Sequence, residues 1–213
     1  MKSLLEVMEG PFANWMGDDD WTPWFAFLAA LRGERMTRDE RKFYRQCTRR
    51  NDRPRQPFNE AWVVAGRRAR KSAIAACLGV YFAVYGEWPR AKGETVRCLV
   101  IAVSKEQAKI VRDYCQAILE SRPGLSRLIT AMDADSITLS NGIQIVTVAN
   151  SYRSIRGPTV VAAIFEELAF WRSDYSANPD KEVLRAVRPS MLTVPGALLL
   201  GISSPYALSA LLF

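Results

Sequence analysis

Apolar and polar positions change their spacing near residue 60. Before that point the apolar residues recur at helical spacing, whereas from Ala61 onward short apolar runs alternate with longer amphipathic segments. Short apolar runs bounded by turns are typical of strands that are buried on both faces of a parallel sheet. The pattern predicts a small helical appendage, residues 1–57, followed by a three-layer α/β domain, residues 58–213.

The appendage is predicted to contain two helices. The first follows Thr22-Pro23, which supply an N-cap and a first-turn proline. The second begins at the capping box Thr37–Glu40 and continues to about Cys47, with Phe43 and Cys47 on one face. A proline-containing linker, residues 51–57, follows it.

The α/β region alternates predicted strands and helices. Strands are predicted at Ala61–Ala65, Val96–Val103, Ile137–Leu139, Ile143–Val148, Val160–Phe165 and Ala197–Ile202, with helices at 71–85 and 104–119. The dipeptide Asn141-Gly142 is a strong signal for a β-hairpin. One hairpin inserted into an otherwise β-α-β order predicts a mostly parallel central sheet.

The positive charge of the chain is concentrated in one segment. The 213 residues have a formal net charge of +7, and between Arg32 and Arg55 there are ten Lys or Arg but only four Asp or Glu. Such a block is typical of a surface that binds a polyanion, and equally of a solvated helix face with a flexible connector. The sequence alone leaves both interpretations open.

Composition restricts the chemistry. The chain has no histidine, so Ser-His-Asp and Cys-His centres are excluded, and any reaction depends on carboxylates, Lys, Arg, hydroxyls and a metal. The four cysteines form no CxxC pair, which favours reduced thiols. The longest nearly apolar run, residues 73–85, is shorter than the ~18 residues that cross a bilayer. We expect a cytoplasmic protein without a membrane span.

The segment Ala65-Gly66-Arg67-Arg68-Ala69-Arg70-Lys71-Ser72 joins a predicted strand to a predicted helix. A phosphate-binding loop needs backbone N–H groups at a helix N-terminus, a Lys for the terminal phosphates and a hydroxyl for Mg²⁺. Lys71 and Ser72 fit the last two requirements, but Arg70 stands where glycine is usual. If that position requires φ > 0, the arginine costs roughly 1–2 kcal/mol. The alternative is an Arg-rich turn that only begins a helix.

Two carboxylates follow the apolar run Val160–Phe165. Strand ends of this kind face bound phosphates in an open α/β sheet. Adjacent carboxylates on an extended chain point to opposite sides, so we expect Glu166 to hold the metal and Glu167 to reach the attacking water. Two solvated glutamates after a core strand are the alternative, which the loop upstream makes the weaker one.

Further candidates lie near the same predicted edge. Ser203, Ser204 and Pro205 directly follow the last predicted strand, where hydroxyls are placed to sense a phosphate, although a plain turn has the same sequence. Arg153 and Arg156 precede the strand that ends at Glu166, where a guanidinium can neutralise charge in phosphoryl transfer.

Taken in order, these residues resemble the ATPase domain of the large terminase subunit, the DNA-packaging motor of tailed bacteriophages. That family commonly has Glu-Ala-Trp and GRR-x-G-K-[ST], a Gln-Ala at a strand–helix junction, an Arg-Gly, a strand ending in D-E-x-A-F-W, and Ser-Ser-Pro-Tyr. The matching segments here are Glu60–Arg68 with Lys71-Ser72, Gln107-Ala108, Arg156-Gly157, Glu166–Trp171 and Ser203–Tyr206. The likeness spans about residues 40–206.

The resemblance implies a fold and a set of roles. The fold is a RecA-like P-loop NTPase of the additional-strand, catalytic-glutamate class. Lys71 and Ser72 would bind the phosphates of ATP and Mg²⁺, Glu166 would assist the metal, and Glu167 would activate water. The remaining implied roles are a nucleotide-responsive arginine, an arginine finger and coupling hydroxyls, at Arg67, Arg156, and Ser203 and Ser204. Gln46 and Gln56 are both candidates for an adenine contact.

The resemblance also implies partners. These are double-stranded DNA, further large subunits in a ring, the portal protein and the small terminase subunit, in the cytoplasm of a bacterial host. Family members continue into a nuclease domain that this sequence does not contain, so DNA cleavage is not expected. Arg70 and Glu166 depart from the family pattern and predict weakened hydrolysis. The alternatives are another RecA-like DNA motor such as a helicase, and a non-catalytic nucleotide- or DNA-binding module.

Overall fold

The structure is a computed structural model of the chain. It describes residues 1–17, 20–149, 157–171 and 179–205. The chain divides into two compact units, Met1–Asn59 and Glu60–Phe213. In their described parts, the regular elements of the first unit are helices, and the second unit is a sheet with helices on its faces.

The first unit is built from four helices among its described residues, α1 (Leu4–Glu9), α2 (Ala13–Met16), α3 (Thr22–Arg32) and α4 (Arg38–Thr48). The Glu34 carboxylate ties α3 to α1, because it accepts hydrogen bonds from the backbone N–H groups of Leu4 and Leu5 at 2.7 and 3.1 Å. Gly33 ends α3 with φ +68°, and a Cβ there would lie 2.7 Å from the backbone nitrogen of Gln56. This turn therefore requires glycine.

Helix α4 begins at the predicted capping box. The Thr37 hydroxyl accepts from the Glu40 N–H at 3.3 Å, and the Glu40 carboxylate accepts from the Thr37 N–H at 2.8 Å. The predicted face was wrong, because Cys47 is exposed and Phe43 only half-buried, whereas Tyr44 is buried. Glu40 and Tyr44, one turn apart, form the buried stripe of this helix.

The second unit contains the sheet. Its strands are β1 (Glu60–Val64), β2 (Val96–Ala102), β3 (Ile129–Met132), β4 (Ser136–Leu139), β5 (Ile143–Ala149), β6 (Thr159–Glu166) and β7 (Leu198–Ser203). Its described helices are α5 (Lys71–Tyr85), α6 (Lys105–Glu120), α7 (Pro123–Ser126) and α8 (Pro179–Val187), with 3₁₀ turns at Leu168–Phe170 and Arg188–Met191. All six predicted strands are present, and β3 is an additional strand.

Within the described residues the strands form one mixed sheet in the order β1-β7-β6-β2-β5-β4-β3. The hairpin strand β4 runs antiparallel to β3 and β5, and the other pairs are parallel. The predicted α/β RecA-like fold is thereby confirmed. Because β1, β7, β6 and β2 are parallel neighbours, their carboxyl ends lie at one edge, where the loops that follow them meet.

Helices cover both faces of the sheet. Helix α5 is buried along almost its whole length, and a Cβ on its Gly79 would lie 3.8 Å from the side chain of Val100 in β2. On the opposite face Leu99 and Phe165 pack with Val183 of α8, as alternation along a strand requires. The packing of α5 fixes its N-terminus at the carboxyl edge of the sheet. In the described part of the chain, every helix is too short or too polar to span a bilayer.

Candidate functional site

The loop between β1 and α5 makes an open turn at the N-terminus of a long helix. Ala65 donates its N–H to the Ser203 carbonyl at 3.0 Å, which ties the start of the loop to the end of β7. Arg68 and Arg70 have left-handed backbones, with φ of +62° and +59°. A Cβ added to Gly66 would meet nothing within 4 Å. The loop thus holds two strained arginines and an open backbone face.

Arg70, which stands where glycine is usual, has the left-handed backbone that favours glycine. Its backbone lies at φ +59° and ψ +28°, directly before the first residue of α5. A residue with a Cβ costs roughly 1–2 kcal/mol in this region. The loop precedes α5, and the backbone N–H groups at the N-terminus of that helix favour an anion.

Lys71 is buried and held by two partners. Its ammonium donates to the Gly66 carbonyl at 2.9 Å and lies 3.3 Å from a carboxylate oxygen of Glu167. The side chain is 6% exposed. A buried ammonium needs such partners, because desolvation of an unpaired charge is strongly unfavourable. The lysine therefore joins the loop to the end of β6.

Ser72 and Glu166 contact one another across the same edge. The Ser72 hydroxyl donates to Glu166 Oε1, and the Gln107 amide donates to the Ser72 oxygen at 3.3 Å. Glu166 is fully buried, and its Oε2 has no hydrogen-bond partner among the described residues. Burial raises the pKa of Glu166 above its ordinary value, and the hydrogen bonds from Ser72 and Gln107 oppose part of this rise.

Glu167 has a different environment. Its carboxylate accepts hydrogen bonds from the Ser204 N–H at 2.8 Å and the Ser204 hydroxyl at 3.2 Å. It also accepts from the Ser203 hydroxyl at 3.3 Å, which shares its one proton with the Ser204 carbonyl at 3.0 Å. With the Lys71 ion pair, this makes it a fully engaged carboxylate. The Ser203 hydroxyl also accepts the Ala169 N–H at 3.2 Å, so β7 and the turn after β6 are joined through it.

The side chains of Glu166 and Glu167 point in different directions, but the cause differs from the one predicted. Strand β6 ends at Glu166, and Glu167 is not extended but left-handed, with φ +51° and ψ +41°. The chain then enters the 3₁₀ turn, and the Glu167 N–H donates to the Ile202 carbonyl at 2.8 Å. The turn after the strand, and not alternation along it, sends the two side chains to different partners.

A cavity of about 320 Å³ lies beside the loop. Most of the side chains that line it are cationic or hydroxyl-bearing, and Tyr114 of α6 and Glu167 complete the lining with Arg67, Arg68, Arg70, Lys71, Ser72 and Ala73. Four cationic side chains against one carboxylate favour an anion of several charges.

The site residues predicted from the sequence are distributed as follows. Six of them come together at one edge, and Pro205 is exposed next to them; the six are Lys71, Ser72, Glu166, Glu167, Ser203 and Ser204. Arg153 and Arg156 lie outside the described residues, and Gln46 and Gln56 belong to the first unit. Gln107 was not predicted as a site residue. Its signal was its place at the start of a helix that follows a central strand.

The residues present fit a phosphate group with a bound Mg²⁺. The open backbone at Gly66, the cationic cavity and the bare Oε2 of Glu166 each supply a group that such a ligand uses. Among the described residues, no three Asp, Glu, Cys or His side chains cluster as a metal cage. Mg²⁺ is commonly held by one or two protein oxygens together with substrate phosphates and water, so the Ser72–Glu166 pair suffices.

A RecA-like α/β domain with a cationic loop at a helix N-terminus is the class that this fold and site define. The chain is similar to the large terminase of bacteriophage HK97, with a TM-score of 0.63 and 16% identity over 95% of this chain and 38% of that chain. The fold is therefore that of part of a phage large terminase, which confirms the fold expected from the sequence resemblance. The chain spans less than half of the HK97 protein.

Two further solved structures are more distantly similar. The ATPase domain of the Thermus phage P74-26 large terminase matches with a TM-score of 0.46 and 17% identity, over 70% of this chain and 60% of that chain. A point mutant of the same domain matches with a TM-score of 0.41 and 16% identity over the same shares. The sequence matches no protein-family model and no curated protein.

Proposed function

We propose that the chain is an ATP-hydrolysing domain of the large-terminase kind. The observation that carries this proposal is the contact between Lys71-Ser72, at the N-terminus of α5, and Glu166-Glu167, at the end of β6. A lysine and a hydroxyl at a helix N-terminus, facing a buried strand that ends in carboxylates, are the parts that phosphoryl transfer requires.

Each side chain has a proposed role. The loop residues Ala65–Ser72 cradle the phosphates of ATP, with Lys71 moving from its Glu167 ion pair to the terminal phosphates. Ser72 and Glu166 hold Mg²⁺, which neutralises charge on the phosphates when it is bound. Glu167 orients and deprotonates the attacking water, and Arg67 responds to the nucleotide.

Ser203 and Ser204 are proposed to couple hydrolysis to movement. Ser203 is the last residue of β7 and Ser204 the first residue beyond it. Together they hold the Glu167 carboxylate through three hydrogen bonds. A shift of Glu167 toward water would break some of these bonds, and the end of β7 and Pro205 would then be free to move. Arg156 is proposed as the finger that reaches the nucleotide of a neighbouring subunit.

We propose double-stranded DNA as the polymer that is moved. The appendage, residues 1–57, contributes a basic helix, α4. Its exposed side chains Arg41, Lys42 and Arg45 line a cavity of about 890 Å³ within the first unit. Neutralised phosphates release counterions, so binding should weaken with salt. A ring of such chains acting with a portal protein and a small terminase subunit, in a bacterial host cell, completes the proposal.

The test of the enzyme proposal is DNA-stimulated ATP hydrolysis. Wild-type chain should release phosphate with Mg²⁺, and Lys71→Ala should not. Lys109→Ala is the matched control, because Lys109 also pairs with a carboxylate, at 2.5 Å from Asp113, but lies outside the cavity. Equal rates for wild type and Lys71→Ala would contradict the proposal.

A second candidate is a nucleotide-gated DNA-binding module without turnover. The left-handed Arg70 and the longer Glu166 in place of an aspartate favour it. Tight binding of ATP with no release of phosphate, in the presence of DNA, would select this module. A strand-separating motor would instead unwind a duplex.

A further inference from the structure

A side-chain amide joins the Ser72–Glu166 pair from a third element. Gln107 lies in the first turn of α6, and its Nε2 donates to the Ser72 hydroxyl oxygen at 3.3 Å. The Ser72 hydroxyl in turn donates to Glu166 Oε1. Gln107 also hydrogen-bonds to the Glu166 carboxylate, so the amide, the hydroxyl and the carboxylate form one network.

The local sequence fixes Gln107 in this place. Ser104 caps α6, and its hydroxyl accepts the backbone N–H of Gln107 at 3.2 Å. A Gln at this third helical position commonly turns its side chain back to the N-cap backbone. Here it extends to Ser72 instead. Strand β2, which leads into α6, pairs directly with β6, so the first turn of α6 begins beside the end of β6.

The hydrogen-bond capacity of Ser72 gives this contact a consequence. A serine hydroxyl has one proton and two lone pairs. The proton goes to Glu166, and the Gln107 amide occupies one lone pair. One lone pair of Ser72 and the Oε2 of Glu166, which has no partner within the described part of the chain, are then left for a cation.

We propose that Gln107 is a positioning residue for a divalent cation at Ser72 and Glu166. Its amide fixes the rotamer of the Ser72 hydroxyl, so that the free lone pair is held in place before the cation binds. The inference rests on the proposed nucleotide site and adds to it a residue that acts through Ser72. Substitution of a residue that hydrogen-bonds to a metal ligand typically lowers metal affinity about 10–100-fold.

The test separates metal binding from nucleotide binding. Gln107→Met keeps the side-chain volume and removes both amide donors. A fluorescent ATP analogue should bind Gln107→Met and wild type within about twofold without metal, whereas Mn²⁺ affinity, followed by its EPR signal with nucleotide present, should fall about tenfold or more. Gln107→Ala should behave alike and serves if the Met variant is unstable. Gln116→Met, on the same helix but bonded to Arg112 and Glu120, is the matched control.

The outcomes distinguish this inference from the proposed function. Mn²⁺ affinity equal to wild type in both Gln107 variants would overturn the inference, and so would an equal loss of nucleotide affinity with and without metal, because that pattern indicates packing alone. A wild-type chain that binds no nucleotide under either condition would overturn the proposed function itself.

Discussion

Glu166 and Glu167 are adjacent in the chain, but their surroundings differ. Glu166 is fully buried and has one bare oxygen, whereas Glu167 is partly exposed and accepts three hydrogen bonds beside a lysine. A buried oxygen without a donor is unfavourable unless a ligand completes it. An engaged carboxylate is instead kept in a fixed place until its partners move. The same side chain thus suits two different tasks.

The largest expected effect is on turnover. Glu167→Gln removes the base but keeps the shape of the side chain, so kcat should fall about 10²–10⁴-fold, while nucleotide affinity stays close to that of wild type. Steady-state hydrolysis and equilibrium binding of a fluorescent ATP analogue measure the two quantities. A rate within a few-fold of wild type, on the order of tenfold or less, would assign the base elsewhere.

The next effect concerns metal. Ser72→Ala removes a hydroxyl from the Glu166 side of the site, and we expect the Mg²⁺ affinity of the nucleotide complex to fall about 10–100-fold. Ser203→Ala is the control on the Glu167 side and should leave Mg²⁺ affinity unchanged while slowing turnover. If both substitutions lower the Mg²⁺ affinity alike, the assignment of metal binding to Glu166 and of the base to Glu167 is wrong.

The third effect is on stability as a function of pH. Burial raises the pKa of Glu166, so the folded state binds this proton more tightly than the unfolded state does. The stability that comes from the protonated group is present at low pH and is lost as the pH rises through the raised pKa. Glu166→Gln does not titrate and lacks this loss. The free energy of unfolding of Glu166→Gln, relative to that of wild type, should therefore increase from acid to neutral pH.

Thermal unfolding without nucleotide or Mg²⁺ measures this difference. Each kcal/mol corresponds to a shift of about 2–4 °C for a domain of this size. Glu167→Gln should show no such gain, because it loses the Lys71 ion pair and weakens the bonds from both serines. An advantage of Glu166→Gln that is the same at every pH would contradict the assignment.

The smallest expected effect is in the loop. Arg68→Gly and Arg70→Gly relieve a left-handed backbone worth roughly 1–2 kcal/mol each, against about 0.5–1 kcal/mol of added chain entropy in the unfolded state. Both variants should therefore melt slightly above wild type. Arg67→Gly is the control, because Arg67 does not have a positive φ, and this variant should melt below wild type. The reverse order would show that the loop stores no strain.

Most of the fold could be predicted because its signals are local. The apolar runs that became β6 and β7 are continuous, and the Asn141-Gly142 turn fixed the hairpin. Strand β3 was missed because Ile129–Met132 is short and lies at an edge, where only half of its residues are even partly buried. An edge strand gains its structure from its neighbour, and apolar spacing does not record that neighbour.

The site was predictable only in part, for the same reason. Lys71, Ser72 and the two glutamates follow from spacing, since a strand end and a helix start determine where they lie. Gln107 depends on β2 lying beside β6, a relation that sheet order provides and residue spacing does not. The left-handed turn at Glu167 also depends on the chain that follows it, so an extended geometry was the wrong assumption.

The most direct test of the divided carboxylates is a single-turnover experiment on ATP bound in advance. Wild type, Glu166→Gln and Glu167→Gln are loaded with radiolabelled ATP, Mg²⁺ and DNA, and bound nucleotide and released phosphate are measured in the same samples. We expect wild type to release phosphate, Glu167→Gln to retain uncleaved ATP at every Mg²⁺ concentration, and Glu166→Gln to recover cleavage as Mg²⁺ is raised. Phosphate release by Glu167→Gln at the wild-type rate would contradict the assignment of the two glutamates.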